Sequence, residues 1–270
     1  MSRRKPTVRA TVVELGDLPD RRHEDRLATE EPLEIRLAWP GAPARRVWVT
    51  MRTPGHDFEL AAGWVVHEGL ARSVGTIAYC SDEDLTEDEQ YNVVTVTLGA
   101  PPLRDPAHRH TASSSGSSAC GVCGKDSIAE ALASPASARW TGLRVEPAVV
   151  RRLPGLVRAQ QPVFERTGGV HAAALATADG EVLVVREDVG RHNAVDKATG
   201  ARVLAGLPPA EACLVVSGRA GFELVQKAAA AGVGALVAVG APTSLAVDLA
   251  VRAGLGLYGF TSAERTVRYA

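Results

Sequence analysis

The chain has 270 residues, a net charge of −1 at pH 7, and 46% hydrophobic residues. This length holds one large domain or two smaller ones with a substantial core. The balanced charge excludes a general affinity for nucleic acids or membrane surfaces. The basic first residues precede no apolar segment, and the longest apolar run, 228–241, is too short to span a bilayer. We therefore expect a cytoplasmic protein that binds neither nucleic acid nor membrane.

The first half of the chain predicts a loose lead-in followed by a small α+β domain. Residues 1–30 are charged and aperiodic. Beyond them, apolar side chains alternate with other residues as on half-buried strands, and Thr53-Pro54 is typical of a helix start. The predicted elements are strands at 33–39, 47–51 and 91–98, and a helix through 58–65 that stops at Gly69.

Three polar residues stand in the first turn of that predicted helix: His56, Asp57 and Glu59. They have two interpretations. Either they form part of a functional site, or they make a solvated first turn whose acids interact favourably with the helix dipole. The local sequence favours the solvated first turn.

The second half of the chain alternates between strand-like and helix-like segments. It begins with a predicted hairpin whose turn is Asp179-Gly180. Strands alternating with helices are typical of an α/β domain with a mainly parallel sheet and right-handed connections, here with an antiparallel hairpin at its start. The predicted strands cover 170–176, 182–186, 214–217, 235–239 and 255–260, and the predicted helices cover 194–204, 221–231 and 244–253.

Three loops of this domain follow predicted strands and lead into helices: 187–193, 217–221 and 240–244. Ligands of such sheets collect where strands end and helices begin, and free helix N–H groups favour anions. Each loop taken alone is equally explained by ordinary helix capping. Together they favour a phosphate-bearing ligand, because they also supply glycines, hydroxyls and arginines. The candidate residues are Arg191, His192, Ser217, Gly218, Arg219, Thr243 and Ser244.

A C-x-x-C pair, Cys120 and Cys123, lies in a stretch of small, polar residues. Cysteines near a helix N-terminus and a lysine, here Lys125, tend to ionise, and a thiolate is the reactive form of sulfur. Two alternatives stay open: a disulfide, or an irregular zinc site that would include His108 and His110. The residues alone favour reactive thiols over structural zinc.

Five segments of the sequence resemble the formate dehydrogenase accessory sulfurtransferases (FdhD/NarQ). The most specific is the twelve-residue block Arg-Glu-Asp-Val-Gly-Arg-His-Asn-Ala-Val-Asp-Lys. The resemblance covers nearly the whole chain from about residue 30. The five segments are 53–63, 120–125, 167–173, 186–197 and 217–219.

The resemblance implies a cytoplasmic maturation factor for formate dehydrogenase. Family members accept persulfide sulfur from a cysteine desulfurase and pass it to the molybdenum or tungsten of bis-molybdopterin guanine dinucleotide. Cys120 would then carry the persulfide and Cys123 would assist. The acceptor is a bound substrate, GDP-like nucleotides are expected to share its site, and no resident metal is expected. The partners implied are the desulfurase and the formate dehydrogenase catalytic subunit, and an acceptor of this size suits a homodimer.

The resemblance also implies a fold and a domain division. The second domain is expected to be a three-layer, mixed-sheet α/β domain of cytidine deaminase-like type. The family's cofactor-binding segment corresponds to Phe260, Thr261, Ser262, Ala263, Glu264 and Arg265. The expected division is a lead-in at 1–30, an α+β domain at 31–110, a flexible arm with the C-x-x-C at 111–126, and an α/β cofactor-binding domain at 127–270.

The cofactor-binding segment departs from the family at one position. Many relatives carry an arginine two residues after the phenylalanine, and this chain has Ser262, although Arg265 is retained. Anion binding by this segment is therefore expected to be weaker. Two further functional hypotheses stay open beside sulfur transfer: a non-catalytic chaperone that binds and delivers the nucleotide cofactor, and a zinc protein.

Overall fold

The computed structural model describes residues 5–16, 19–81, 85–106 and 139–270. Cys120 and Cys123, and with them the predicted arm at 111–126, lie outside the described residues. The described chain forms three β-sheets of two, four and six strands. No helix in it is both long and apolar enough to cross a membrane.

The two-stranded sheet is a hairpin of β1 (Thr7–Glu14) and β2 (Arg21–Ala28), paired antiparallel from Thr7 with Ala28 to Glu14 with Arg21. The expectation of a loose lead-in over 1–30 was therefore wrong for these residues. Most of their side chains are exposed, so the apolar alternation that marks a half-buried strand is missing. Backbone pairing and a cross-strand ion pair, Arg9 with Glu24 at 3.1 Å, hold the strands together.

The four-stranded sheet confirms the predicted first-half strands and helix. One face of it packs on α1 (Asp57–His67), and the core between them contains Leu33, Ile35, Leu60 and Val94. The capping box of Thr86 and Glu89 starts the short α2 (Glu87–Gln90). The strands, in spatial order, are β4 (Ala42–Arg52), β3 (Glu31–Trp39), β6 (Val93–Thr97) and β5 (Ile77–Tyr79).

The six-stranded sheet is mixed, as predicted for the second half. Pairing directions show that β8, β9, β10 and β11 run one way, and that β7 and β12 run the other way. The ends of those four strands and the start of β7 therefore lie at one edge, which we call the strand-end edge. In spatial order the strands are β12 (Val267–Arg268), β11 (Gly256–Gly259), β10 (Ala235–Ala238), β9 (Cys213–Val216), β7 (His171–Ala176) and β8 (Val182–Asp188).

Helices cover both faces of the six-stranded sheet, so the expected three-layer arrangement is confirmed. On one face, Leu214 and Leu236 pack with Leu224. On the other face, Val215 and Val237 share a core with Leu153. The cytidine deaminase-like assignment stays a prediction. The helices are α5 (Arg191–Leu204), α6 (Phe222–Ala231) and α7 (Ser244–Ala253) on the first face, and α3 (Pro147–Arg158) on the second, with the short α4 (Pro162–Thr167) between α3 and β7.

The two halves of the chain join where α1 crosses α5 at Gly63 and Gly200. A Cβ atom on Gly63 would clash with the backbone of Asp196, and a Cβ atom on Gly200 would clash with the backbone of Glu59. The two helix backbones can approach this closely because Gly63 and Gly200 have no side chains. The crossing therefore fixes how the four-stranded unit sits against the six-stranded one.

Candidate functional site

The loops at the strand-end edge form one hydrogen-bonded surface. The amide of Gly240 donates to the carbonyl of Gly218 at 2.9 Å, and the amide of Phe260 donates to the carbonyl of Gly240 at 3.1 Å. The amide of Thr261 donates to the carbonyl of Ala238, also at 3.1 Å. The segments after β9 and β10, which the sequence predicted to lie together, are therefore neighbours, and the segment after β11 lies beside them.

A pocket of about 750 Å³ lies between this edge and α3. Thr261, Ser262 and Ala263 line one side of it, and Ser217 lines it as well. Four of the predicted cofactor-binding residues thus share one cavity. Its lining also includes apolar side chains, namely Val157, Val170, Val189, Val215, Val216 and Val239. A pocket of this size with an apolar lining and a few polar groups suits a small organic ligand.

The α3 side of the pocket carries positive charge that the sequence analysis missed. Arg151, Arg152 and Arg158 all line the cavity, and no acidic residue does. No ion pair joins any of the three to an acid within the described part of the chain. The guanidinium of Arg158 lies over the ring of Phe164, 4.4 Å from its centroid. The pocket wall is therefore suited to an anion.

A signal for these arginines was present in the sequence. Val150, Leu153 and Val157 follow helical spacing, and residues 147–158 contain three arginines and no acid. No helix was predicted for this segment. In the structure Pro147 begins α3 and Pro154 lies inside it.

His171 begins β7 and lines the pocket beside Gly218. Burial lowers the pKa of its imidazole, and the charge of Arg191 lowers it further, while Asp188 opposes them. The ring has no hydrogen-bond partner among the residues that the structure describes. A neutral imidazole is thus available at pH 7 to donate or accept a hydrogen bond.

Arg191 and His192, predicted to bind the cofactor, do not line the pocket. Nε2 of His192 instead lies 3.0 Å from Oε2 of Glu223 on α6. Burial, together with Lys227 and Arg191, lowers the pKa of His192 to about 3, and burial raises the pKa of Glu223 to about 7. The pair is therefore a close contact that holds a neutral imidazole against a carboxyl group of raised pKa.

The other predicted residues are not part of the pocket lining. Oγ1 of Thr243 accepts from the amide of Ala246, so this loop caps α7, the ordinary interpretation of it. Phe260 is 45% exposed with a φ of 49°, and the Arg265 guanidinium lies 5.5 Å from its ring centroid. Residues outside the lining are Arg191, His192, Gly218, Arg219, Thr243, Ser244, Phe260, Glu264 and Arg265.

The block 186–197, which carries the most specific resemblance, joins the two halves of the molecule. Nη2 of Arg186 donates to Glu59 at 2.7 Å. Asp188 accepts from the amide of Thr53 at 3.1 Å and forms an ion pair with Lys197 at 2.6 Å. Asp188 and Lys197 are fully buried, where an unpaired charge would be costly. Much of this block is therefore explained by packing rather than by contact with a ligand.

The predicted solvated first turn of α1 was wrong. Asp57 is 4% exposed, and its two carboxylate oxygens each accept a 2.9 Å hydrogen bond from Arg52. Burial opposes the ionisation of Glu59, but hydrogen bonds from Arg186 and His56 outweigh it and lower its pKa to about 2. Both acids are held by partners that the local sequence could not show.

The described cysteines do not suit sulfur chemistry. Burial raises the pKa of the Cys213 thiol to about 12, so it is not a thiolate at neutral pH. Cys80 is half-buried, and its Sγ accepts from Nη1 of Arg36 at 3.7 Å. The catalytic roles of Cys120 and Cys123 stay predictions, because both residues lie outside the described part of the chain.

Comparison with known proteins gives consistent matches over this fold. The chain is 48% identical over 263 residues to the sulfur carrier protein FdhD of Streptomyces coelicolor, covering 94% of this chain and 90% of that one. It is 46% identical to the same-named protein of Nocardia farcinica, covering 96% and 91%. The fold is that of a crystal structure from Desulfotalea psychrophila described as a formate dehydrogenase accessory protein, with a TM-score of 0.69, 21% identity, and coverage of 97% and 96%. A model of the FdhD/NarQ family matches residues 28–270, and the chain therefore belongs to the FdhD/NarQ family.

Proposed function

We propose that this chain is a cytoplasmic sulfur carrier in the maturation of formate dehydrogenase. It would take persulfide sulfur from a cysteine desulfurase and deliver it to bis-molybdopterin guanine dinucleotide, whose metal is molybdenum or tungsten. The observation that carries the proposal is 48% identity, over 94% of this chain, to a protein named sulfur carrier protein FdhD. The Cys120-x-x-Cys123 pair supplies the thiols that such a role requires.

In this proposal Cys120 carries the persulfide and Cys123 assists the transfer. The remaining cysteines support the assignment by their surroundings. The thiol of Cys213 is buried with a raised pKa, and Cys80 accepts a hydrogen bond from Arg36. A persulfide forms when a thiolate attacks a sulfur donor, so a thiol that does not ionise is a poor carrier.

The pocket at the strand-end edge is the proposed binding site of the nucleotide cofactor, which is a substrate here. Its chemistry fits such a ligand: arginines for phosphate, hydroxyl groups of Ser217 and Ser262, and an apolar lining. GDP-like nucleotides are expected to bind the same pocket. The partly exposed Phe260 and the retained Arg265 begin and end the segment that corresponds to the family's cofactor-binding residues, and three residues between them line the pocket.

Intact-mass analysis tests the sulfur-carrier role. The purified chain is incubated with a cysteine desulfurase and cysteine, and the wild type is expected to gain one sulfur, about 32 Da, that is lost on reduction. Cys120→Ala should not gain it, whereas the matched controls Cys213→Ala and Cys80→Ala should gain it fully. A wild type that gains no sulfur would overturn the proposal.

One second function is favoured by a specific observation. The pocket lies wholly among the described residues and does not depend on the cysteines. A chaperone that binds and inserts the nucleotide cofactor without carrying sulfur would use the same pocket. Binding of GDP together with the absence of a persulfide would identify this function. In either function the recipient is the formate dehydrogenase catalytic subunit, and paired pockets in a homodimer would suit the large acceptor.

A further inference from the structure

We propose that Arg151 and Arg158 of α3 hold the phosphate groups of the bound nucleotide, and that its base lies toward the part of the lining formed by Thr261–Ala263. This inference rests on the proposed function and specifies the orientation of the nucleotide in the pocket. The sequence and the family resemblance pointed only to the loops at the strand-end edge. The arginine wall of α3 is a separate feature of the structure.

The two arginines lie on one flank of α3. They are seven residues apart, which is two helical turns or about 10 Å along the helix axis. Pro154 and Gly155 lie between them and also line the pocket. No heavy atom lies within 4 Å of the position that a Cβ on Gly155 would take, so the flank is open between the arginines. Long arginine side chains from both ends can therefore meet an anion there.

The charge of this wall is not neutralised by the protein. The lining contains no aspartate or glutamate, and no ion pair engages Arg151 or Arg158 among the residues described. Arg158 lies over the ring of Phe164, which limits the positions that its guanidinium can take. Guanidinium groups match phosphate geometry, and an ordered one loses less entropy on binding.

The Thr261–Ala263 part of the lining has a different chemistry. Thr261, Ser262 and Ala263 provide backbone and hydroxyl groups and no charge. Oγ of Ser262 already accepts from the amides of Glu264 and Arg265, at 3.4 and 3.3 Å. Neutral hydrogen-bonding groups suit the edge of a nucleobase, whereas the charged wall suits phosphate. The third arginine of the lining, Arg152, lies with Nη2 3.8 Å from the Cβ position of Gly180, away from this flank.

Calorimetric binding of GDP, guanosine and inorganic pyrophosphate to the full chain tests the inference. The variants are Arg151→Gln, Arg158→Gln and their double variant, which keep most of the apolar stem and remove the charge. Loss of a charge-assisted contact is expected to raise the Kd of GDP about tenfold for each single variant. Guanosine affinity should not change, and the double variant should lose pyrophosphate binding. Arg166→Gln on α4 is the matched control, because its side chain is exposed and outside the lining.

The outcomes separate this inference from the proposed function. If GDP binds the wild type and both arginine variants equally, the arginines do not hold phosphate. The inference then fails while the proposed function stands. If GDP and guanosine weaken equally in the variants, the arginines contact the base, and the direction is reversed. If the wild type binds pyrophosphate but neither GDP nor guanosine, the phosphate wall stands and the nucleotide function fails. If the wild type binds none of the three, both fail.

Discussion

The crossing of α1 and α5 predicts a strong effect of the smallest possible side chain. In Gly200→Ala the new Cβ would lie closer than 3.0 Å to backbone atoms of Glu59 and Gly63, and backbone cannot rotate away as a side chain can. Overpacking a tight contact costs about 3 kcal/mol at the upper end, and the gain in helix propensity from glycine to alanine offsets about 1 kcal/mol. We therefore expect a net loss of about 2 kcal/mol in the free energy of unfolding.

Gly155→Ala on α3 is the matched control for this prediction. The same substitution meets nothing within 4 Å there, so only the propensity gain of about 1 kcal/mol remains. Urea unfolding of both variants, followed by circular dichroism, should give midpoints that move in opposite directions from the wild type. If Gly200→Ala is as stable as Gly155→Ala, the glycine crossing does not fix the contact between the halves, and the reasoning is refuted.

Two further predictions concern titration. The pKa of Glu59 is lowered in the fold to about 2 from 4.5, so its pairing with Arg186 stabilises the protein above pH 4.5, and that stability is lost as the pH falls toward 2. The difference in urea midpoint between wild type and Glu59→Gln should therefore shrink over this interval. A difference that stays constant would contradict this stabilising role of Glu59. His171 is neutral at pH 7 and gains a positive charge as the pH falls below 6.5 through its lowered pKa. Below pH 6.5, GDP should therefore bind the wild type increasingly tightly relative to His171→Gln. Parallel pH profiles of the Kd for GDP in the two proteins would show that this imidazole does not face the ligand.

Local patterns were sufficient for much of the fold. The alternation of Leu33, Ile35 and Leu37 predicted a strand because one face of a sheet packs and the other does not. The alternation of strands and helices after residue 170 predicted a mainly parallel sheet, and the rule for strand ends predicted that the loops with Ser217 and Thr243 lie at one edge. These inferences succeed because side-chain period and chain connection are local properties.

The β1–β2 hairpin and α3 were not predicted. The β1–β2 hairpin is held by backbone bonds and exposed ion pairs, and α3 carries a proline inside it. The charges that line the pocket were consequently missed with α3. Arg151 and Arg158 become a wall only when α3 is packed beside the strand-end edge.

The sequence by itself determined the family resemblance and the α/β order of the second half, and it predicted which cysteines carry sulfur. Only the tertiary structure decided what the charged motifs do. Glu59 meets Arg186 across 127 positions of sequence, and Asp188 meets the amide of Thr53 across 135. The local sequence does not distinguish a carboxylate in a solvated turn from a carboxylate in a buried ion pair. Their difference lies in desolvation and in partners from distant segments, which exist only once the chain is folded.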